Sequence, residues 1–242
     1  MEQQAKKFGA EIISAQAESI SPADKYQLTR LSDGRTVKSR ALIIATGAFP
    51  KKLGVPGEKE LLGKGVSYCA VCDGAFFKNQ PVAVLGGGDS AVQEAVYLAG
   101  LASKVTVVHR RNALRAAESI QKIAFASDRI EFAWNKDILG IEGSSVVTGI
   151  RVMDKQTLRE EVIPAAGAFI YVGYNPNSEL VQGMVKTDGA GYIVTDERMA
   201  TSIPGIYACG DVRQKLVRQV SSAVGDGATA AIAAQQYLEL NG

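Results

Sequence analysis

Val82-Ala83-Val84-Leu85-Gly86-Gly87-Gly88-Asp89-Ser90-Ala91 is an apolar run that breaks into three glycines and then opens a helical pattern. Four aliphatic residues in a row suit a strand buried on both faces. Gly86, Gly88 and Ala91 have the G-x-G-x-x-A spacing, and each has a physical task in a strand-turn-helix setting: a tight turn, close backbone approach to a pyrophosphate, and close packing of helix on strand. Asp89 and Ser90 would start the helix, whose free N–H groups and partial positive charge favour a phosphate. Residues 90–99 then present Ala91, Val92, Ala95, Val96 and Leu98 on one broad face, and residues 105–108 supply a second apolar run. The pattern predicts a βαβ opening that binds a dinucleotide; an ordinary glycine-rich turn is the competing reading of the glycines alone.

Where a site for the non-phosphorylated dinucleotide places an acid on the ribose 2′-hydroxyl, this chain has His109-Arg110-Arg111 and then Arg115. Two arginines on a 2′-phosphate, at about 1.5–3 kcal/mol each, would favour NADPH over NADH by about 10²- to 10⁴-fold. A solvated basic loop is the alternative, and for His109 a structural role stands level with a binding one.

Cys69-Ala70-Val71-Cys72-Asp73-Gly74 lies just ahead of this unit. Two thiols at that spacing can close a small ring on a helical turn, and Asp73 is placed to give a proton to a leaving thiolate. Half of a metal site and a pair of incidental buried thiols are the other readings. With one histidine and three cysteines in the chain, a four-ligand zinc site is hard to assemble, so no metal is expected.

The 27 basic and 25 acidic residues nearly cancel, which removes the footprint expected for nucleic acid or a membrane surface. Apolar stretches such as residues 41–45 fall far short of the roughly 20 residues a bilayer crossing needs, and Met1-Glu2-Gln3-Gln4 lacks a basic leader start. The expectation is a cytoplasmic protein of two domains. Residues 25–31 and 36–45 read as an antiparallel pair turning at Asp33-Gly34, and residues 192–195 and 205–209 as further strands. A closing helix is expected over residues 223–240, and crossovers near Pro50 and Asn175.

The dithiol, the triple-glycine turn, the arginine cluster and Cys209-Gly210-Asp211, in this order, resemble the low-molecular-weight, bacterial-type thioredoxin reductases over essentially the whole chain. The resemblance implies an α/β fold of two doubly wound, three-layer, Rossmann-like modules, with an NADPH domain at residues 53–173 inserted into an FAD domain at residues 1–52 and 174–242. It implies that electrons pass from NADPH through FAD to the Cys69–Cys72 disulfide and on to thioredoxin or a similar small disulfide protein. Cys72 would lie nearest the flavin, Cys69 would exchange with the substrate, and Asp73 would be the acid. Thr46, Gly47, Gly210, Asp211, Arg218, Gln219 and Val220 would meet FAD, and a homodimer is the family's assembly.

One departure accompanies the match. Members of that family begin with their own strand, G-x-G-x-x-G and helix for the FAD pyrophosphate, and no glycine cluster precedes Lys25 here. The expectation is a truncated chain whose FAD module is incomplete at its N-terminus. Two alternatives follow: an NADP(H)-binding module that does not retain flavin, and a relative of the flavoprotein of alkyl hydroperoxide reductase.

Overall fold

The computed structural model describes residues 2–241. They divide into two compact units, one running from Pro50 to Tyr174, the other made of the chain up to Phe49 and from Asn175 onward.

The Pro50–Tyr174 unit is built on a five-stranded parallel sheet with spatial order Val66–Ser67, Gly167–Tyr171, Pro81–Gly86, Lys104–Val108, Ile130–Ala133. The alternation of strand side chains decides what covers each face. Val82, Val84, Val105, Val107, Phe169 and Tyr171 share one core with Ala91, Val92, Ala95 and Leu98 of the helix Asp89–Ala99. Ala83, Leu85, Val108, Ala168 and Ile170 share the opposite core with Ile141, Ile150 and Val152. Those last three belong to an antiparallel sheet of Lys136–Glu142, Gly149–Asp154 and Glu160–Pro164. Helices, parallel sheet and antiparallel sheet thus make three layers, the Rossmann-like α/β arrangement. Each fully buried aliphatic side chain contributes about 1.5–3 kcal/mol, so a polar residue at Val84 or Leu85 would disrupt a whole layer.

In the other unit Ala17–Ala23, Tyr26–Leu31 and Thr36–Ser39 form an antiparallel meander, and Leu42–Ile44 pairs in parallel with Ile206–Ala208. The turn at Asp33-Gly34 forms as expected, with Gly34 at φ +87° and its N–H on Leu31 O at 3.0 Å. The strand after it stops at Ser39 rather than running on, because Leu42–Ile44 joins a different sheet. Ile20, Ile44, Val181, Ile193, Ile206 and Val212 form the core of this part.

Other differences have local causes. The final helix is Val220–Leu240, three residues longer at its start, because the Gln219 N–H donates to Ser222 Oγ in a capping box. Residues 192–195 make no regular strand; Ile193 forms only isolated bridges with Thr187 and Arg213. The helix Glu118–Phe125 and the strands Lys136–Glu142 and Glu160–Pro164 were not anticipated, since the helix and Glu160–Pro164 are mostly exposed and Lys136–Glu142 interrupts its apolar residues with Gly140 and flanking charges.

Candidate functional site

At the carboxyl ends of Pro81–Gly86 and Lys104–Val108 lies a cleft of about 500 Å³, lined among others by Lys51, Lys52, Gly86, Gly87, His109, Arg110, Arg115 and Tyr171. Ligands of doubly wound sheets bind at this edge. The three glycines differ in what replaces a side chain. A Cβ on Gly86 would stand 2.3 Å from Tyr171 O, and one on Gly87 would stand 2.4 Å from His109 Nδ1. A Cβ on Gly88 would meet nothing within 4 Å, so its backbone faces open space, as close approach of a phosphate requires.

The loop carrying the arginines is clipped onto that turn. Arg115 N–H donates to Gly87 O at 2.8 Å, and the Asp89 carboxylate accepts the Ala117 N–H at 2.8 Å. Ser90 and Ala91 open the helix beside it, Ser90 exposed and Ala91 buried. Arg110 and Arg115 line the cleft, while Arg111 is exposed beside them and its carbonyl accepts the Asn135 N–H at 3.2 Å. His109 is 6% exposed. Burial, together with Arg115, Arg111 and Arg110, depresses its pKa, so at neutral pH it sits as an uncharged ring against Gly87 and edge-on to Trp134. The positive charge of the cleft therefore comes from the arginines and lysines.

In the same unit Cys69 and Cys72 are joined as a disulfide, with Cα atoms 5.3 Å apart. A four-residue helix, Ala70–Asp73, brings them together: Cys69 stands at its N-cap and its sulfur accepts the Cys72 N–H at 3.1 Å. Ala70 N–H donates to the Tyr171 hydroxyl at 2.6 Å. Tyr171 thereby links the cleft, which it helps to line, to the turn that carries the disulfide. Asp73 is half-buried and its Oδ2 accepts from Ser67 Oγ at 2.6 Å. Ser67, Asp73, Phe76 and Phe77 line a separate pocket of about 400 Å³. Phe76 is 77% exposed, a large apolar side chain left in water beside the dithiol. Among the described residues no group of three or more His, Cys, Asp or Glu side chains could hold a metal ion.

In the other unit Gly210 follows the strand Ile206–Ala208 with φ +73°, and its N–H donates to Asp226 Oδ2 at 3.1 Å. Asp226 also accepts from Arg213 Nη1 at 3.1 Å and Lys215 Nζ at 2.7 Å. Burial raises the Asp226 pKa, but the bonds from Lys215 and Arg213 outweigh it and hold the carboxyl below the usual range. The Lys215 side chain is only 7% exposed, so Asp226→Asn would strand a nearly buried cation. Removing one partner of such a group costs about 3–5 kcal/mol, and urea unfolding should show it. Because the folded pKa is depressed, this stabilisation is present above the ordinary carboxylate pKa and is lost as the pH falls below about 4. The urea midpoints of the variant and the parent should therefore converge in acid.

Arg218 lies over the Tyr192 ring at 4.1 Å. Arg218 Nε and Asp211 Oδ1 are buried and have no protein hydrogen-bond partner. Leaving such an atom unpaired costs about 1–3 kcal/mol, so the pair suits a polar ligand. Thr46 Oγ1 donates to Asn177 O at 2.5 Å, and Gly47 O accepts the Asn177 N–H at 3.0 Å. Gln219 caps the last helix, and Val220 is exposed at its start. Cys209 is buried and free, and burial raises its pKa, which keeps it an inert thiol.

The sequence reading missed Lys51, Lys52 and Tyr171 in the cleft and Ser67 behind Asp73. The two lysines sit on a crossover that no motif marks. Tyr171 had a usable signal, since it ends a strand of a parallel sheet, where ligands bind. Ser67 had none, because its role depends on a hydrogen bond rather than on spacing.

A family model described as pyridine nucleotide-disulphide oxidoreductase matches residues 3–227. The thioredoxin reductase of Listeria monocytogenes is 48% identical over 236 residues, covering 97% of this chain and 74% of its own length. That of Peptoclostridium litorale is 46% identical over 245 residues, covering 99% and 78%. The crystal structure of thioredoxin reductase from Streptococcus pyogenes superposes with a TM-score of 0.91 at 46% identity, over 98% of this chain and 78% of that one. The chain spans about three quarters of the length of these relatives. On these matches the chain belongs to the pyridine nucleotide-disulphide oxidoreductase family and, within it, to the thioredoxin reductases, NADPH-dependent flavoprotein disulfide reductases.

Proposed function

We propose that the Pro50–Tyr174 unit is the NADPH domain and the remainder the FAD-domain portion, and that Cys69–Cys72 carries electrons to the disulfide of thioredoxin or a similar small protein. The observation that carries this reading is the formed Cys69–Cys72 disulfide, backed by Asp73, in the same unit as a basic cleft built on a glycine turn.

The residues present fit both groups. The open face of Gly88 and the cations Lys51, Lys52, Arg110 and Arg115 suit a phosphorylated dinucleotide. Buried Asp211 Oδ1 and Arg218 Nε offer an acceptor and a donor that the protein leaves unpaired, which suits the polar part of a flavin. Thr46, Gly47, Gly210, Gln219 and Val220 would complete that site. When bound, a flavin supplies two-electron transfer between a nicotinamide and a disulfide.

The chain's own residues then do the following. Arg110 and Arg115, with Arg111 beside them, hold the 2′-phosphate, and His109 stays neutral to keep the turn packed. Cys69 exchanges with the partner's disulfide and Cys72 resolves the mixed disulfide. Asp73 gives a proton to the leaving thiolate. Exposed Phe76 gives the partner an apolar footing.

Adding FAD to the purified chain, desalting it and recording the visible spectrum tests this reading. A retained flavin band that bleaches with NADPH is the expected result. Quenching of Trp134 fluorescence by NADPH with no retained flavin would instead make the chain a bare nucleotide-binding module.

A further inference from the structure

Ser67 ends the strand Val66–Ser67 and is 4% exposed. Its oxygen accepts the Cys69 N–H at 3.0 Å. Its hydroxyl reaches Asp73 Oδ2 at 2.6 Å and Cys69 O at 3.3 Å. One hydroxyl carries one proton, and the shorter contact to a carboxylate is the stronger, so the proton goes to Asp73. The backbone of Cys69 is thus joined to the Asp73 carboxyl through a single buried oxygen.

We propose that Ser67 is a positioning residue for proton delivery, fixing the Asp73 carboxyl relative to Cys69 so that one oxygen is occupied and the other is left to carry the proton. This rests on the reading of Asp73 as the acid. In the step concerned, Cys69 gives its proton to Asp73 and its thiolate attacks one sulfur of the partner's disulfide, a bond forms between them, and the partner's other sulfur leaves as a thiolate. That thiolate takes the proton held by Asp73. Cys72, giving up its own proton to Asp73, then attacks Cys69 Sγ, the Cys69–Cys72 bond re-forms, and the second partner thiolate leaves and is protonated in turn. Two electrons and two protons pass from the dithiol to the partner, and no other oxidant or reductant enters.

Proton delivery matters only when the leaving thiolate is basic. Leaving-group pKa governs thiol exchange, so an alkyl thiolate gains from an acid and an aromatic thiolate does not. A residue that merely supports the fold would affect both alike.

The test needs neither flavin nor nucleotide. The full chain is reduced with a small dithiol, freed of reagent, and mixed in single-turnover exchange with cystine or with an aromatic disulfide such as dithiobis(nitrobenzoate). Ser67→Ala should slow exchange with cystine about tenfold and leave the aromatic reaction unchanged. Ser67→Thr, which keeps the hydroxyl, should retain the parent rate. Asp73→Asn should also be slow on cystine, and adding Ser67→Ala to it should cost nothing more, because the two act as one unit. Ser67→Gly serves as a second hydroxyl-free variant should the alanine form fail to fold. A parent rate for Ser67→Ala on cystine, with Asp73→Asn slow, would overturn the proposal while leaving the acid in place. Equal slowing on both disulfides would also overturn it. Parent behaviour of Asp73→Asn would remove the acid, and the role of Ser67 with it.

Discussion

Cys69→Ser and Cys72→Ser are each expected to lower kcat/KM for a protein disulfide by at least about 10³-fold, while NADP⁺ affinity stays within about twofold of the parent. The chemistry requires both sulfurs. Cys69 and Cys72 form one disulfide, so a single serine removes the electron store, not half of it. A serine hydroxyl is neither oxidised at accessible potentials nor nucleophilic toward sulfur at neutral pH. The cleft proposed to hold the nucleotide is lined by other residues, including Lys51, His109, Arg110 and Arg115, which is why binding should persist. Steady-state rates with thioredoxin and a fluorescence titration of Trp134 with NADP⁺ check the two halves. Retained turnover in both single variants would remove the dithiol from the electron route.

The second large effect concerns nucleotide choice. Arg110→Ala combined with Arg115→Ala should erase a preference for NADPH over NADH of about 10²- to 10⁴-fold, almost entirely by weakening NADPH. Both side chains line the cleft on a loop tied to Gly87 through Arg115 N–H and to Asp89 through Ala117 N–H, so the backbone that presents them should survive the change. Dissociation constants for both nucleotides in parent and variant give the comparison. The parent preference should also shrink as salt is raised, because both arginines are exposed. A variant that keeps the parental preference would assign the 2′-phosphate to other cations.

The nucleotide-type unit was legible because its sequence signals are local. Val82 to Leu85 is apolar without interruption because both faces of that strand are covered, and Gly86 to Ala91 needs small residues at fixed offsets. In the antiparallel layer from Lys136 to Pro164 the central strand was legible as a mostly apolar run over residues 149–153, but its two hairpin partners were not, because Lys136–Glu142 and Glu160–Pro164 mix charges with few apolar residues. The arginine cluster was visible as charge following a strand. The seat of His109 on Gly87 was not, since the G-x-G-x-x-A pattern leaves its middle position unspecified. Asp226 shows the same limit: nothing near it in sequence announces that Gly210, Arg213 and Lys215 converge on one carboxylate.

Counting thiols tests the electron route most directly. Alkylation of the oxidised, denatured chain should find one free thiol, Cys209, because Cys69 and Cys72 are joined. After anaerobic incubation with NADPH and FAD before denaturation, all three cysteines should be alkylated. A count that stays at one under conditions where the flavin is reduced would show that electrons do not reach this disulfide, and the assignment of Cys69 and Cys72 would fall.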